Sequence, residues 1–313
     1  MSGAPLPSEQ ASAVEQLRSA VGAVLQGKQG VVDLALTAVL ASGHLLLQDV
    51  PGVGKTTLAS ALAAAVGGSF RRVQFTSDLL PADLTGVNVL EQGTGRFVFR
   101  QGPLFANVVL ADEINRTTPK TQSALFEAME EHQVTVDGHT RPLPRPFLVV
   151  ATQNPYDMHG TFHLPDSQLD RFLMRLALGY PDRSTERAIL RHAQRPVPAT
   201  VMDPDAVHAL AERAQQTRVP EVVEEYLLDL VRGTRSDARF VRGVSTRGAQ
   251  ALHRAVRARA FLERRAYAIP EDVRALAVPV LAHRVMARSA GSLESDGGVE
   301  AVRGLLDDLP PPL

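Results

Sequence analysis

A lysine and two threonines follow a glycine-rich turn at residues 49–57, where the sequence reads DVPGVGKTT. Gly52 and Gly54 allow the backbone to bend so that successive N–H groups point toward the oxygens of a phosphate. Lys55 can reach the β- and γ-phosphates of a nucleotide, and the Thr56 hydroxyl can bind Mg²⁺. We therefore expect a nucleotide-binding loop here. Its other predicted members are Val50, Pro51, Val53 and Thr57.

The residues on either side of this turn have the pattern of a strand and a helix. Residues 45–47 are three leucines, which predict a buried strand, and an alanine-rich helical pattern begins at about Lys55. Strand, loop and helix follow in the order that a phosphate-binding loop needs, and the helix adds its positive N-terminal end. Asp49 departs from the usual pattern, which begins with glycine. The alternative is a glycine-rich turn with a surface lysine.

Two carboxylates follow a second apolar run, at residues 108–111. This run predicts a buried parallel strand whose carboxyl end meets the nucleotide. Asp112 would bind Mg²⁺ through water, and Glu113 would orient and polarise the attacking water. The alternative, a strand that ends in an acidic turn, does not account for the phosphate-binding loop upstream.

Three other residues are placed to act on the γ-phosphate. Asn154 follows a third predicted strand, at 147–152, and can hydrogen-bond the phosphate or the attacking water, although Asn-Pro also forms turns. Arg171 could be an arginine finger, a cation that neutralises charge on the γ-phosphate in a neighbouring subunit. The alternatives are a structural Arg–carboxylate pair and, as the finger, Arg175, about one helical turn further on.

Arg247 falls in the first turn of a predicted helix, where a cation is unfavourable because that end of the helix is already positive. A bound triphosphate would supply the missing negative charge. We therefore interpret Arg247 as a nucleotide contact from the C-terminal region, against the alternative of a surface arginine. His159 and His163 are four residues apart, but Gly160 and Pro165 argue against a helix that could pair them on a metal ion.

The elements that must position these residues divide the chain in two. We expect an α/β nucleotide-binding core at 1–182, with a parallel sheet, flanking helices, β-hairpins near 87–99 and 133–143, and disorder at 1–8. From Pro181 onward the pattern is all helical, which predicts a C-terminal domain at 183–313. Its predicted helices are 183–195, 203–216, 220–236, 245–265, 270–288 and 300–306.

Composition limits the functional class. The 313 residues suffice for about two domains of ~150 residues each. Hydrophobic residues make up 44% and the net charge is −1, so no global field attracts nucleic acid or an anionic membrane. There is no cysteine, which excludes disulfides. The N-terminus lacks the pattern of a signal peptide, and no apolar run approaches the ~20 residues that span a bilayer. We expect a cytoplasmic protein.

Five segments in this order, DVPGVGKTTLA, VVLADEINR, ATQNP, LPDSQLDRF and GVSTRGAQAL, resemble the MoxR family of AAA+ ATPases. The resemblance runs from about Gln26 to Arg288. It implies a P-loop NTPase core with a parallel sheet and a helical lid, assembled into rings that are commonly hexamers. It also implies ATP and Mg²⁺ as ligands and a chaperone-like role in maturing or activating a client protein, often with a von Willebrand factor A domain partner.

The resemblance also assigns roles to single residues. Lys55 and Thr56 match the Walker A motif, Asp112 and Glu113 the Walker B motif, Asn154 sensor 1, Arg171 the arginine finger and Arg247 sensor 2. Two other functions stay open at this point. One is a nucleotide-dependent scaffold with little turnover, against which Glu113 argues, and the other is a nucleic-acid motor, which the near-zero charge disfavours.

Overall fold

The computed structural model describes residues 7–154, 161–191, 199–288 and 297–312. Helices occupy about half of this part of the chain. The predicted helix 270–288 is shorter, Pro270–Leu281, and the predicted helix 300–306 is longer, Gly297–Asp308. The helices are α1 Ser8–Val24, α2 Gln29–Leu40, α3 Lys55–Ala65, α4 Pro81–Thr85, α5 Pro119–Glu131, α6 Asp166–Leu169, α7 Arg183–Arg191, α8 Pro204–Ala214, α9 Glu221–Ser236, α10 Thr246–Leu262, α11 Pro270–Leu281 and α12 Gly297–Asp308. The disorder expected at 1–8 lies mostly outside the described residues, as does His159.

Eleven strands are present in the described ranges. They are β1 His44–Gln48, β2 Phe70–Gln74, β3 Gly86–Glu91, β4 Arg96–Gln101, β5 Val108–Asp112, β6 Gln133–Val136, β7 His139–Pro142, β8 Leu148–Gln153, β9 Phe172–Leu176, β10 Phe240–Arg242 and β11 Met286–Ala287. Five of them form a parallel sheet in the order β2-β5-β8-β1-β9. The expected parallel core is thus confirmed.

The fifth strand, β9, corrects one expectation. The sequence interpretation placed Arg175 one helical turn after Arg171, whereas Phe172–Leu176 is a strand that pairs with β1. All of its residues except Arg175 are buried, because the strand packs under the helices of the C-terminal region. A strand buried in this way shows no apolar/polar alternation, and five residues are too few to distinguish it from a helix by periodicity.

Alternate residues of the central strands serve two hydrophobic cores. Leu45 and Leu47 of β1 face a core shared with α1, α2, α3 and the C-terminal helices. Leu46 faces a second core with Phe126 of α5. Because successive strand residues point to opposite faces, one apolar run fills both layers. Both faces of the sheet are therefore covered, and the two ends of its strands remain for function. We call these ends the carboxyl edge and the amino edge of the sheet.

The two predicted hairpins are present. β3 pairs antiparallel with β4, and β6 pairs with β7 through Asp137-Gly138. Both turn residues have positive φ, 50° and 76°, as the Asp-Gly signal predicts for a tight hairpin turn. The Asn88 side chain of the first hairpin donates a hydrogen bond to the Asp137 carboxylate of the second, so the hairpins contact each other.

The C-terminal region is helical, as predicted, with one addition. A two-stranded ribbon, β10 with β11, packs against α9 and α12. Helix α11 ends at Leu281 with a 3-10 turn after it. Arg284 of that turn is buried and pairs with Asp170, at 2.7 Å between Nε and Oδ1. Ser245, which caps α10, also donates to Asp170. The start of α10 is thereby held against the segment that carries Arg171.

In the described ranges, no helix combines the length and the apolar character needed to cross a membrane.

Candidate active site

The predicted phosphate-binding loop lies between the carboxyl end of β1 and the first turn of α3. Gly52 and Gly54 have φ of 88° and 105°, values that favour glycine strongly over any residue with a Cβ. Gly54 is also the N-cap of α3, and no side chain from the described residues caps that first turn. The N–H groups of the turn are therefore available to an anion, as the sequence predicts.

Lys55 extends along this loop. Its Nζ donates to the Asp49 carbonyl at 2.7 Å. Burial lowers the pKa of Lys55, and the negative charges of Asp49, Asp112 and Glu113 act in the opposite direction. Lys55 therefore shares one electrostatic environment with Asp112, the predicted Mg²⁺ ligand, and Glu113, the predicted catalytic carboxylate.

Asp49 has a role that the sequence pattern did not suggest. Its carboxylate accepts hydrogen bonds from the Val50 N–H at 2.8 Å and from the Gly179 N–H at 2.6 Å. Gly179 lies just beyond β9, so Asp49 joins the phosphate-binding loop to the segment that follows the neighbouring strand. A glycine at position 49 could make neither bond. The residue that departs from the usual motif therefore stabilises the loop.

Asp112 ends β5, two strands from the loop. The Thr152 hydroxyl donates to its Oδ1 at 2.6 Å, and Arg72 of β2 approaches its Oδ2 at 2.6 Å through Nη2. Both partners come from adjacent parallel strands, whose carboxyl ends lie at one edge of the sheet. Sequence reasoning missed both residues, because nothing in their local pattern marks a contact between strands.

Glu113 follows directly and has φ of 57°, in the left-handed region that is costly for a residue with a side chain. Its N–H donates to the Thr152 hydroxyl at 2.9 Å, which stabilises this turn. Its carboxylate accepts from Gln74 at 2.7 Å and lies 3.2 Å from Arg116. The strained backbone and these contacts hold Glu113 at the carboxyl edge of the sheet, where Lys55 also lies. Gln74 and Arg116 were also missed from the sequence.

Asn154 follows the carboxyl end of β8, which lies between β1 and β5. Lys55, Asp112 and Asn154 thus lie at or just after the carboxyl ends of three neighbouring parallel strands, β1, β5 and β8. The structure brings these predicted residues together at the carboxyl edge of the sheet. It is the usual position of ligand sites in open parallel sheets.

Arg171 and Arg247 lie elsewhere. Arg171 immediately precedes β9, whose first residue pairs with His44 at the amino end of β1. Both arginines contact Glu130 at the end of α5, Arg171 at 2.9 Å and Arg247 at 2.5 Å. The carbonyl of Met129, next to Glu130, bonds His44. The two arginines therefore lie at the amino edge of the sheet, away from the chain's own phosphate-binding loop.

The negative charge expected beside Arg247 is thus supplied within the chain by Glu130.

Arg175, the competing finger, has a different position. Its Nη1 donates to the Gln48 side chain at 3.1 Å, at the carboxyl end of β1 and one residue before the phosphate-binding loop. Arg175 therefore lies beside its own loop, whereas Arg171 does not.

The donors at the carboxyl edge fit a magnesium ion. Thr56 and Asp112 supply a hydroxyl and a carboxylate, the oxygen ligands that Mg²⁺ prefers. No group of three or more His, Cys, Asp or Glu side chains suited to a metal occurs in the described ranges. An ion held by one or two side chains takes its remaining ligands from phosphates and water, which is the usual arrangement for Mg²⁺.

The parallel sheet carries a phosphate-binding loop after β1, an acidic pair at the end of β5 and a polar residue after β8. Together these features define a P-loop nucleotide hydrolase with a helical lid. Comparison with known proteins gives the family. The model of the ATPase family associated with various cellular activities (AAA) matches residues 44–174, and the AAA lid domain matches residues 232–302.

The chain is 44% identical to the uncharacterized protein YeaC of Bacillus subtilis, over 94% of this chain and 93% of that one. It is 38% identical to the chaperone MoxR1 of Mycobacterium tuberculosis, over 84% of this chain and 73% of that one. A crystal structure of a candidate ATPase from Cytophaga hutchinsonii superposes with a TM-score of 0.89, at 34% identity, covering 97% and 96% of the two chains. The chain belongs to the MoxR family of AAA+ ATPases.

Proposed function

We propose that this protein is a Mg²⁺-dependent ATPase that works as a closed ring, most simply a hexamer, and uses ATP hydrolysis to remodel, mature or activate a client protein. Family membership and the similarity to a chaperone, MoxR1, support the general role. The near-neutral net charge supports a protein client over a nucleic acid. A von Willebrand factor A domain protein is the partner that we infer, with the cytoplasm as the compartment.

One observation supports the proposed ring, namely that the predicted site residues lie at opposite edges of the sheet. Lys55, Asp112 and Glu113 belong to the carboxyl edge of the sheet, whereas Arg171 and Arg247 belong to the amino edge. Strand β1 separates the two edges by roughly 13 Å, at about 3.3 Å per residue. An arginine that acts on a γ-phosphate from the amino edge must therefore reach the nucleotide of another copy. Head-to-tail contacts of this kind form a ring when the rotation between successive subunits closes.

Each residue at the carboxyl edge has a role that its position supports. The N–H groups of the phosphate-binding loop and Lys55 hold the β- and γ-phosphates. Thr56 and, through water, Asp112 would hold Mg²⁺, which would neutralise charge on these phosphates. Glu113 orients and polarises the attacking water, and Asn154 hydrogen-bonds the γ-phosphate or that water.

The helical region is the lid of this ATPase, and we place its boundary with the core at residues 182 and 183. The bonds from Arg284 and Ser245 to Asp170 support a lid that moves together with the segment bearing Arg171. In this proposal, Arg247 of the lid and Arg171 of the core serve the same neighbouring site.

The test is a mixture of two inactive variants. Lys55→Ala subunits lack the phosphate lysine but still offer both arginines, whereas Arg171→Ala subunits bind ATP but offer no finger. Random mixing in equal amounts makes roughly a quarter of the interfaces complete in a head-to-tail ring. We expect the mixture to hydrolyse ATP when neither variant alone does.

Subunit exchange is verified with two fluorescently labelled forms, so that a lack of ATPase activity in the mixture cannot result from subunits that failed to mix. Exchange without recovered ATPase activity would contradict the trans role of Arg171. Mass measurement of the assembled protein tests the ring itself, and a monomer with full ATPase activity would exclude it.

A further inference from the structure

Glu130 binds two arginines with one carboxylate. Its Oε2 lies 2.9 Å from Arg171 Nη2, and its Oε1 accepts from Arg247 Nη2 at 2.5 Å. The three residues come from the last turn of α5, the segment before β9 and the first turn of α10. Each oxygen thus holds one arginine, and the carboxylate joins two residues that the chain brings from distant positions.

This arrangement solves an electrostatic problem. Two guanidinium groups are always charged and repel each other when they lie side by side. Positive charge is in excess here: Arg247 contributes to lowering the pKa of the nearby Arg254, which burial lowers first. A carboxylate between Arg171 and Arg247 reduces the repulsion and lets both stay at one site.

The arginines keep donors for another ligand. A guanidinium carries five N–H groups, and Glu130 occupies one nitrogen of each arginine. Arg171 is also fixed by the ring of Phe126, at 5.6 Å from its centroid, while Arg247 remains half exposed. Both arginines are therefore restrained without being fully used.

We propose that Glu130 is a positioning residue that holds Arg171 and Arg247 as a pair, ready for the triphosphate bound by the neighbouring subunit. This inference rests on the proposed function, in which both arginines act in trans. A fixed pair of cations stabilises the charge that develops during phosphoryl transfer without reorganising at that moment. Ion pairs that solvent reaches contribute little to folding stability, so we expect the loss of Glu130 to affect catalysis more than stability.

The first experiment measures ATPase kinetics of Glu130→Ala and Glu130→Gln. We expect Glu130→Ala to lower kcat by roughly 10-fold, with KM for ATP and the unfolding temperature little changed. Glu130→Gln is isosteric and keeps one oxygen as an acceptor, so its kcat should fall between those of Glu130→Ala and wild type. Glu127→Gln is the matched control, since Glu127 is exposed on the same helix and the carboxylate that pairs with both arginines is that of Glu130.

Three results would overturn this assignment. An unchanged kcat in both variants would show that Glu130 does not position the arginines. A raised kcat would show that it restrains them instead, and a raised KM with normal kcat would place its effect in ATP binding. If Glu130→Ala does not fold, Glu130→Gln alone decides among these outcomes.

The second experiment places Glu130 on the side of the interface that donates the arginines. Arg171→Ala subunits are mixed either with Lys55→Ala subunits or with subunits that carry Lys55→Ala and Glu130→Ala together. We expect the double variant to restore roughly 10-fold less activity, because its own arginines are no longer held. Lys55→Ala combined with Glu127→Gln should restore as much as Lys55→Ala alone.

The two proposals fail in distinguishable ways. If Lys55→Ala subunits restore no activity, the trans arrangement is wrong and the role of Glu130 falls with it. If they restore activity and the double variant restores it equally, only the role of Glu130 is wrong.

Discussion

The two edges of the parallel sheet differ in how their charges are satisfied. At the carboxyl edge, the charged groups have partners in the same chain: Lys55 bonds the Asp49 carbonyl, Asp112 pairs with Arg72, and Glu113 contacts Gln74 and Arg116. At the amino edge, Arg171 and Arg247 share a single carboxylate, so positive charge remains.

This difference indicates what each edge can receive. The carboxyl edge combines backbone N–H donors, a lysine and oxygen ligands, which together suit a triphosphate with its metal ion. The amino edge has two restrained cations and surplus N–H donors, which suit an anion that the edge does not itself bind. In the proposed ring, each edge would supply half of a catalytic site, and two copies of the chain would make one whole site.

The strongest test of this comparison removes the carboxylate that we propose acts on water and leaves the rest of its edge intact. Glu113→Gln keeps the shape of the side chain but cannot polarise water, so hydrolysis should fall by roughly 10³-fold, or about 4 kcal/mol. Titration with a fluorescent ATP analogue should show binding close to wild type. Turnover near the wild-type rate would exclude Glu113 as the catalytic carboxylate.

The same variant sharpens the contrast between the edges. Glu113→Gln subunits retain Arg171 and Arg247, so they should restore activity to Arg171→Ala subunits as Lys55→Ala subunits do. If they restore nothing while Lys55→Ala subunits do, the two edges are coupled within one chain.

A buried histidine makes the amino edge sensitive to acid. His44 Nε2 donates to the Met129 carbonyl, and Nδ1 accepts from the Val149 N–H, which only a neutral ring allows. Burial lowers the pKa of His44 to about 4, from an ordinary value of 6.5. As the pH falls from 6.5 toward 4, the unfolded chain takes up this proton before the folded one does. The stabilisation is complete above pH 6.5 and is lost over this range.

At about 1.4 kcal/mol per pH unit, this site contributes up to about 3 kcal/mol to the free energy of unfolding at neutral pH. Urea unfolding of wild type and His44→Gln between pH 7 and pH 4 measures it. The wild type should lose more stability on acidification than His44→Gln, and the difference isolates this histidine from others such as His283. Parallel pH profiles for the two proteins would refute the assignment.

Lys55→Ala tests the binding half of the carboxyl edge. Loss of a charged hydrogen bond to phosphate should weaken ATP binding by roughly 30-fold, or about 2 kcal/mol. The matched control is Lys120→Ala, another lysine in the first turn of a helix, on α5 and exposed. Equal affinity of Lys55→Ala and wild type in an equilibrium titration would remove Lys55 from the site.

The smallest expected effect belongs to Arg175. It bonds Gln48 beside its own phosphate-binding loop, so Arg175→Ala should retain ATPase activity within about 3-fold of wild type. Arg171→Ala should be inactive in the same assay. If Arg175→Ala is inactive instead and Lys55→Ala subunits restore it, the roles of the two arginines are exchanged.

The hairpins and the parallel core could be predicted because their signals are local. Asp137-Gly138 specifies a tight turn by itself, and the apolar runs of β1, β5 and β8 each end in polar residues. Strand β9 could not be predicted in the same way. Its residues, FLMRL, suit a helix or a strand equally, and its pairing with β1 decides between them.

The sequence by itself determined the nucleotide-binding loop, the acidic pair and the lid helices. Glycine conformation, helix capping and hydrophobic periodicity act over a few residues, so they can be read along the chain. Only the tertiary structure brought Glu130, Arg171 and Arg247 together and tied Asp49 to Gly179. Such contacts join residues that are far apart in the chain, and they depend on which strands pair and how the lid packs. No local pattern encodes either of these.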